Sequence, residues 1–402
     1  DRSFWYTQQA LRHVHDQAQV VLYLVNAAES PEAAAYVEAE MAMLAWLDKP
    51  VLVLLNQLGA PRGGDEEARE VERWRRHLQP LRAGVLVLPM DAFARCWVQE
   101  LALLRAVETM LDGDTRDAMV RLTDAWRQGR QATFVQAMKG LADSLARIAC
   151  ARQRVEGARG LAERVKRLAA RLGPLFGSSG DNNDPVEQAR AALAAQLDDD
   201  VRASTTELLA LHGIEGHAQG EILARVATQF DVQTRVPEGK AAVLAGVLSG
   251  ALAGLKADIA TGGLTMGGGL LAGGLLGALG GAGLARGINV MRGGGPPTVG
   301  WSADALTPMV EAALLRYLAV AHFGRGRGQW VEGEAPAFWR DVVAAALAPL
   351  HDELRALWQS RTTRVEAGGD VERIAAGLRP LLERATRDVL VRLYPGTAPA
   401  AL

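Results

Sequence analysis

The 402 residues carry 44 Lys and Arg against 46 Asp and Glu, a formal net charge of −2 with 22% charged residues, so no global field favours nucleic acid or an acidic partner. The length supports two or three domains, each with its own core. Two cysteines, Cys96 and Cys150, stand in no paired motif and exclude a disulfide scaffold, and the histidines, among them His13, His15, His212 and His217, have no zinc spacing.

The chain opens on "DRSFWYTQQALRHV", which is polar and aromatic and lacks the apolar core and cleavage site of a signal peptide. A chain starting at Asp1 is expected to be a piece of a longer protein. Three aliphatic runs follow: "VVLYLVNAAE" (20–29), "VLVLLNQLG" (51–59) and "GVLVLPMD" (84–91). None alternates with polar residues, the pattern of parallel strands covered on both faces. Between them lie two helical stretches, 31–48 opened by Ser30-Pro31-Glu32 and 65–80 opened by Asp65-Glu66-Glu67, each with a capping residue and early acids. The alternation predicts an α/β sheet with right-handed crossovers, about half of a doubly wound domain.

From 93 to 173 the pattern is helical and basic, with 13 Arg and Lys against 5 Asp and Glu between 116 and 171. An acidic helical stretch around Asp198, Asp199, Asp200 and Glu207 follows the linker "GPLFGSSGDNNDP" (173–185), and the two are expected to pair antiparallel. The same basic stretch is open to anionic lipid or RNA.

Residues 239–297 hold an uncharged run of 27 residues, 259–285, of which 11 are glycine. Gly246, Gly250 and Gly254 form one row at a spacing of four; Gly269, Gly273, Gly277 and Gly281 form another. Residues four apart share a helix face, so each row makes a groove for close backbone approach, and the segment reads as a glycine-zipper helical hairpin. Each arm is long enough to cross a hydrocarbon core of roughly 30 Å. Lys256 and Asp258 oppose insertion, while Lys240, Arg286 and Arg292 flank the ends and would keep them cytoplasmic. A tightly packed soluble hairpin is the competing reading. A last helical region is expected from 304 to 393, broken by "FGRGRGQWVEGEAP" (323–336), a loop between helices.

A buried strand ending in Asn56, preceded by one such strand and followed by another, resembles the second half of an Era/TrmE-like, Ras-type GTPase domain. The resemblance places Asn56 at the Asn of the guanine-reading NKxD motif, Gln57 over the base, and Gly59 where the acid should stand. The following motif falls near Pro89-Met90-Asp91-Ala92, with Asp91 a substitute for the missing carboxylate. No GxxxxGK[ST] loop is present; Gly239-Lys240 has Thr234 and Ala241 at the flanking positions. The resemblance therefore implies GTP as ligand, with the phosphate and Mg²⁺ ligands outside this chain, which is expected to be catalytically inactive alone.

With "HFGRGRGQWVEGEAPAFWRDVV" (322–343), the whole resembles a bacterial GTPase family bearing a C-terminal helical domain of unknown function (DUF3482-type). The expected fold is α/β plus all-α: a truncated parallel-sheet GTPase-like domain (1–112), a helical arm (113–238), the Gly-rich hairpin (239–295) and a C-terminal helical region (296–402). The expected function is a cytoplasmic nucleotide switch held at the inner membrane by the hairpin. The alternatives are a non-catalytic scaffold or anchor and, more weakly, an RNA- or ribosome-associated GTPase. Lipid and possible self-association are the expected contacts besides nucleotide; the residues name no protein partner.

Overall fold

The computed structural model describes residues 2–58, 66–90, 96–155, 185–213, 288–291, 298–322, 338–361 and 368–394. It is mostly helical, with one small parallel sheet and one antiparallel sheet. Two compact units form: Asp1–Gln131 with His322–Phe338 and Tyr394–Leu402, and Ala132–Ala321 with Trp339–Leu393.

In the first unit, α1 (Arg2–Gln17) precedes β1 (Val21–Asn26), α2 (Tyr36–Trp46), β2 (Val51–Asn56), α3 (Glu66–Leu78), β3 (Leu86–Pro89) and α4 (Trp97–Thr109). The strands are parallel in the order β1-β2-β3, with Asn26 opposite Asn56 and Leu55 opposite Pro89. All three predicted strands are present, each shorter than its aliphatic run. Side chains alternate across a sheet. Val25, Val51, Val53, Leu55 and Val87 point to one face, where Val37 and Met41 of α2 and Trp74 and Leu78 of α3 cover them. Leu52 and Leu54 point to the other, under Ala106, Leu103 and Val107 of α4. On β1 that second face is open, with Leu22 43% and Leu24 57% exposed.

The helix expected from residue 31 begins later. The Ser30 hydroxyl accepts a bond from the Ala33 N–H (3.3 Å), closing a separate turn, and the regular helix starts only at Tyr36. The Tyr23 hydroxyl donates to the Glu40 carboxylate and pins β1 to α2, and Arg82 donates to the carbonyl of Lys49 (2.6 Å). At α4, the Gln99 side chain accepts from the Cys96 N–H (3.0 Å), satisfying an otherwise orphaned helix-start donor.

The boundary between the units falls within the long helix α5 (Gly113–Cys150). In the second unit, α6 (Pro185–Leu211) pairs with the later part of α5 as the charge pattern predicted: Arg147 meets Asp200 at 2.8 Å, and Gly140 lies beside the Glu207 carboxylate. Advancing seven residues on α5 retreats seven on α6, so the pair is antiparallel. Basic charge in this stretch is thus partly spent on an internal contact.

A second sheet has no counterpart in the sequence reading. β4 (Arg152–Arg154), β5 (Ile288–Met291) and β6 (Thr298–Trp301) form an antiparallel sheet in the order β4-β6-β5. Of the expected glycine hairpin, only Ile288–Met291 lies among the described residues, and it is a strand rather than helix. Gly246, Gly250, Gly254, Gly269, Gly273, Gly277 and Gly281 lie outside them. Strands of three or four residues beside "GGGPP" are too short for periodicity to register; their pairing across distant segments makes them.

α7 (Ala303–Ala321), α8 (Phe338–Leu347), α9 (His351–Gln359) and α10 (Gly368–Leu393) complete the second unit, with α8 and α9 joined by a 3₁₀ turn at Ala348–Leu350. Buried Trp301 and Trp358, together with Phe134 and Tyr317 in edge-to-face contact (6.0 Å), fill its interior. Arg384 forks onto Glu353 (2.8 and 2.9 Å), joining α10 to α9. The loop 323–336 that sequence reading placed between helices lies outside the described residues. Among the described residues no helix is long and apolar enough to cross a membrane.

Arg316 on α7 is 4% exposed and donates to the Val201 carbonyl and the Thr205 hydroxyl of α6, both at 3.2 Å; its Nε has no partner. Burial pushes its pKa down to about 10. The unfolded chain therefore holds that proton more tightly, so the penalty is complete below about pH 10 and fades as pH climbs toward the ordinary arginine range. With no carboxylate bonded to it among the described residues, Arg316→Met is expected to leave stability at pH 7 unchanged or to raise it in chemical unfolding. A loss of about 3 kcal/mol, the scale of breaking a buried ion pair, would contradict this account.

Candidate functional site

In a parallel sheet the carboxyl ends of the strands share one edge, and ligands of open α/β sheets sit outside it. Here that edge is set by where each aliphatic run gives way to an amide. β1 ends at Asn26 and β2 at Asn56, opposite each other in register. The Ala27 N–H donates to the Asn56 carbonyl at 2.8 Å, so the chain leaving β1 remains bonded to the end of β2. On the other side the Met90 N–H donates to the Leu55 carbonyl at 2.9 Å. Both neighbouring loops are therefore held at their roots by main-chain bonds.

Asn26 organises the first loop. Its side-chain oxygen accepts from the Ala28 N–H at 3.0 Å, an Asx turn, and its amide nitrogen donates to Glu29 at 3.3 Å. Tyr36, at the start of α2, meets the Asn26 backbone from the other side. Burial pushes the Tyr36 phenol up, Glu29 adds to it, and the contact with Asn26 pulls the other way. The phenol is thus a proton donor at neutral pH. Further along, Arg73 of α3 donates to Glu32 at 2.8 Å, and chiefly through this bond the Glu32 carboxyl is pulled down to about 2.

Asn56 is half-buried and Gln57 exposed. Gln57 has φ +58°, in the left-handed region that costs a side-chain-bearing residue about 1–2 kcal/mol. Leu58 then folds back onto the apolar cluster beneath α2 and α3. The turn is therefore over-determined: an aliphatic anchor on each side of Gln57 holds its backbone in an unfavourable region and presents its side chain to solvent. Gly59 and Asp91, the other two predicted base contacts, lie outside the described residues.

Sequence reasoning did not single out Asn26, although it ends the first aliphatic run as Asn56 ends the second. The repeat of Asn at two strand ends was the available signal; its meaning needed the register that sets the two side by side. Among the described residues no group of three His, Cys, Asp or Glu is placed to hold a metal ion. Both cysteines are free thiols, and burial pushes Cys96 up to about 12, which removes it from nucleophilic chemistry.

Compared with known protein families, residues 85–375 match the model of a domain of unknown function, DUF3482. No curated protein and no solved structure matches the chain. The family match begins just before β3 and takes in α4, the helical segments and the glycine-rich region.

Two measurements test the local account. Gln57→Gly is expected to raise stability by about 1 kcal/mol in urea unfolding, because glycine adopts positive φ without penalty. In an NMR titration the Glu32 carboxyl is expected to titrate near 2 and to return to the ordinary carboxylate range in Arg73→Gln; an unmoved value would dismiss the ion pair.

Proposed function

The chain belongs to the DUF3482 family through residues 85–375, and for the first unit, most of which precedes that match, we propose the base-binding half of a GTPase-like nucleotide switch. The observation that carries this reading is the placement of Asn26 and Asn56 side by side at the carboxyl edge of a parallel sheet, with Gln57 held in a left-handed turn beyond them. The sheet order β1-β2-β3, with two helices on one face and one on the other, is the arrangement the resemblance to a Ras-type domain calls for and supports it further.

In this reading the Asn56 amide fixes the purine, the aliphatic part of Gln57 covers its face, and the Asn26–Glu29 turn shapes the neighbouring wall. GTP is the proposed ligand. This chain holds the base and not the phosphates: it has no GxxxxGK[ST] sequence, and no Mg²⁺ ligand is assigned within it. With Gly59 in place of an acid, discrimination of guanine is weakened while shape recognition of a purine remains, because an unpaired donor on the base costs about 1–3 kcal/mol.

The second part of the proposal concerns 239–295. Its uncharged, glycine-rich run and basic flanks suit a hairpin engaging membrane lipid from the cytoplasmic side, with nucleotide state controlling the helical part. The antiparallel pairing of α5 and α6 weighs against RNA as ligand, since Arg147 of α5 there faces Asp200 of α6.

Calorimetry with GDP and ADP tests the site. Asn56→Ala is expected to weaken both by about five- to hundredfold, the equivalent of one lost buried hydrogen bond. Gly59→Asp should favour GDP over ADP. No binding to the parent chain, or an Asn56→Ala variant that binds equally well, would leave the sheet as a scaffold. For the hairpin, vesicle flotation should require residues 241–286; a full-length chain that stays at the bottom of the gradient sinks the membrane reading.

A further inference from the structure

The first unit is not one stretch of sequence. Besides Asp1–Gln131 it takes in His322 and Tyr394, the residues that directly follow α7 and α10. Their rings stack with centroids 5.8 Å apart and planes 20° from parallel, and His322 is 6% exposed. Two segments distant in sequence thus meet as an aromatic pair inside the unit that carries the parallel sheet.

The neighbours of Tyr394 place the pair. Burial pushes its phenol well above the ordinary tyrosine range, and Cys96 and then Glu67 add to the effect. Glu67 stands in the first turn of α3, and Cys96 is the N-cap of α4. In a parallel sheet each crossover leaves from the carboxyl end of a strand, so the helix that follows starts at that edge. α3 follows β2 and α4 follows β3, yet the two helices cover opposite faces of the sheet. A side chain that feels both helix starts therefore stands over the edge itself, where β2 and β3 give way to their loops. At this same edge β2 ends in Asn56 and the chain turns at Gln57.

Residues 1–131 supply the strands and the two helix starts; the ring between those starts comes from the far end of the chain. Tyrosine suits such a place. It offers a large, stiff contact surface with only two rotatable bonds, and stacking on a buried neighbour removes most of its remaining freedom.

We propose that Tyr394, backed by His322, is a positioning residue of the nucleotide edge, holding the starts of α3 and α4 at the spacing that lets the Asn56–Gln57 turn meet a base. This rests on the nucleotide reading of the first unit and adds that the site is incomplete without the chain leaving α10. A binding constellation keeps its geometry only where packing locks the residues behind it, and the stacked pair supplies that support.

Calorimetry with GDP and amide hydrogen exchange, both on the whole chain, test it together. Tyr394→Ala is expected to weaken GDP about threefold to tenfold, the scale of one lost aromatic contact, and to speed exchange in the first turns of α3 and α4 while β2 stays protected. Tyr394→Phe, which keeps the ring and its stack on His322, is expected to behave as the parent in both measurements. Should Tyr394→Ala lose protection in β2 as well, Tyr394→Leu retains apolar bulk at the site and is judged by the same two readings. Loss of β2 protection in both variants assigns Tyr394 to the fold alone and overturns the positioning role. Equal GDP binding by parent and variant, unaltered exchange at both helix starts, or a loss of affinity that Tyr394→Phe shares overturns it too, and each leaves the nucleotide reading standing. A parent chain that binds no GDP overturns that reading and the positioning role with it.

Discussion

Val51, Leu52, Val53, Leu54 and Leu55 have no side turned to water; none is more than 5% exposed. A strand apolar on both faces requires a neighbour on each edge and a helix layer above and below, and the first unit supplies them. β1 and β3 satisfy its main-chain groups, α2 and α3 cover one face, and α4 covers the other. Burying a single leucine contributes about 1.5–3 kcal/mol, so five consecutive aliphatics outweigh the ~1–2 kcal/mol cost of the left-handed Gln57 that follows. The polar end of the strand is then presented at the sheet's edge, and any ligand chemistry of this unit is built on it.

The second unit handles polarity differently. Its interior arginines bond mainly to main-chain carbonyls: Arg316 to Val201, Arg361 to Trp358, Ala149 and Trp301, Arg152 to Ala149 and Ala151. Such bonds satisfy orphaned carbonyls and tie elements distant in sequence, Arg361 reaching back 212 residues to Ala149. They do not neutralise charge. Exposed pairs such as Arg384–Glu353 contribute little to stability in comparison, being screened by water. The buried Asp370 carboxylate, bonded to Arg373, supplies negative charge in the same unit.

Much of the first unit was legible because its strands are continuous aliphatic runs and its helices begin at recognisable signals. Glu66 and Glu67 open α3 and its last turn carries Arg75, Arg76 and His77, a charge order that complements the helix dipole. The false start at Ser30 came from the same rule: a capping serine closes a turn whether or not a helix continues from it. The pairing of α5 with α6 was legible from complementary charge. The antiparallel sheet was not, because Arg152–Arg154 and Thr298–Trp301 have no periodicity of their own and become strands only on meeting.

Sequence alone thus determined the sheet's composition, the helix pair and the position of Asn56 at a strand end, all properties of local pattern and short-range hydrophobic order. Tertiary structure decided which residues stand together: Asn26 against Asn56 through strand register, and Arg152 with Arg361 over one carbonyl through the return of a chain segment more than two hundred residues away. The physical reason is the range of the forces involved. Burial and capping act within a few residues and leave a periodic trace; a hydrogen bond between distant segments leaves none until the backbone has closed the loop between them.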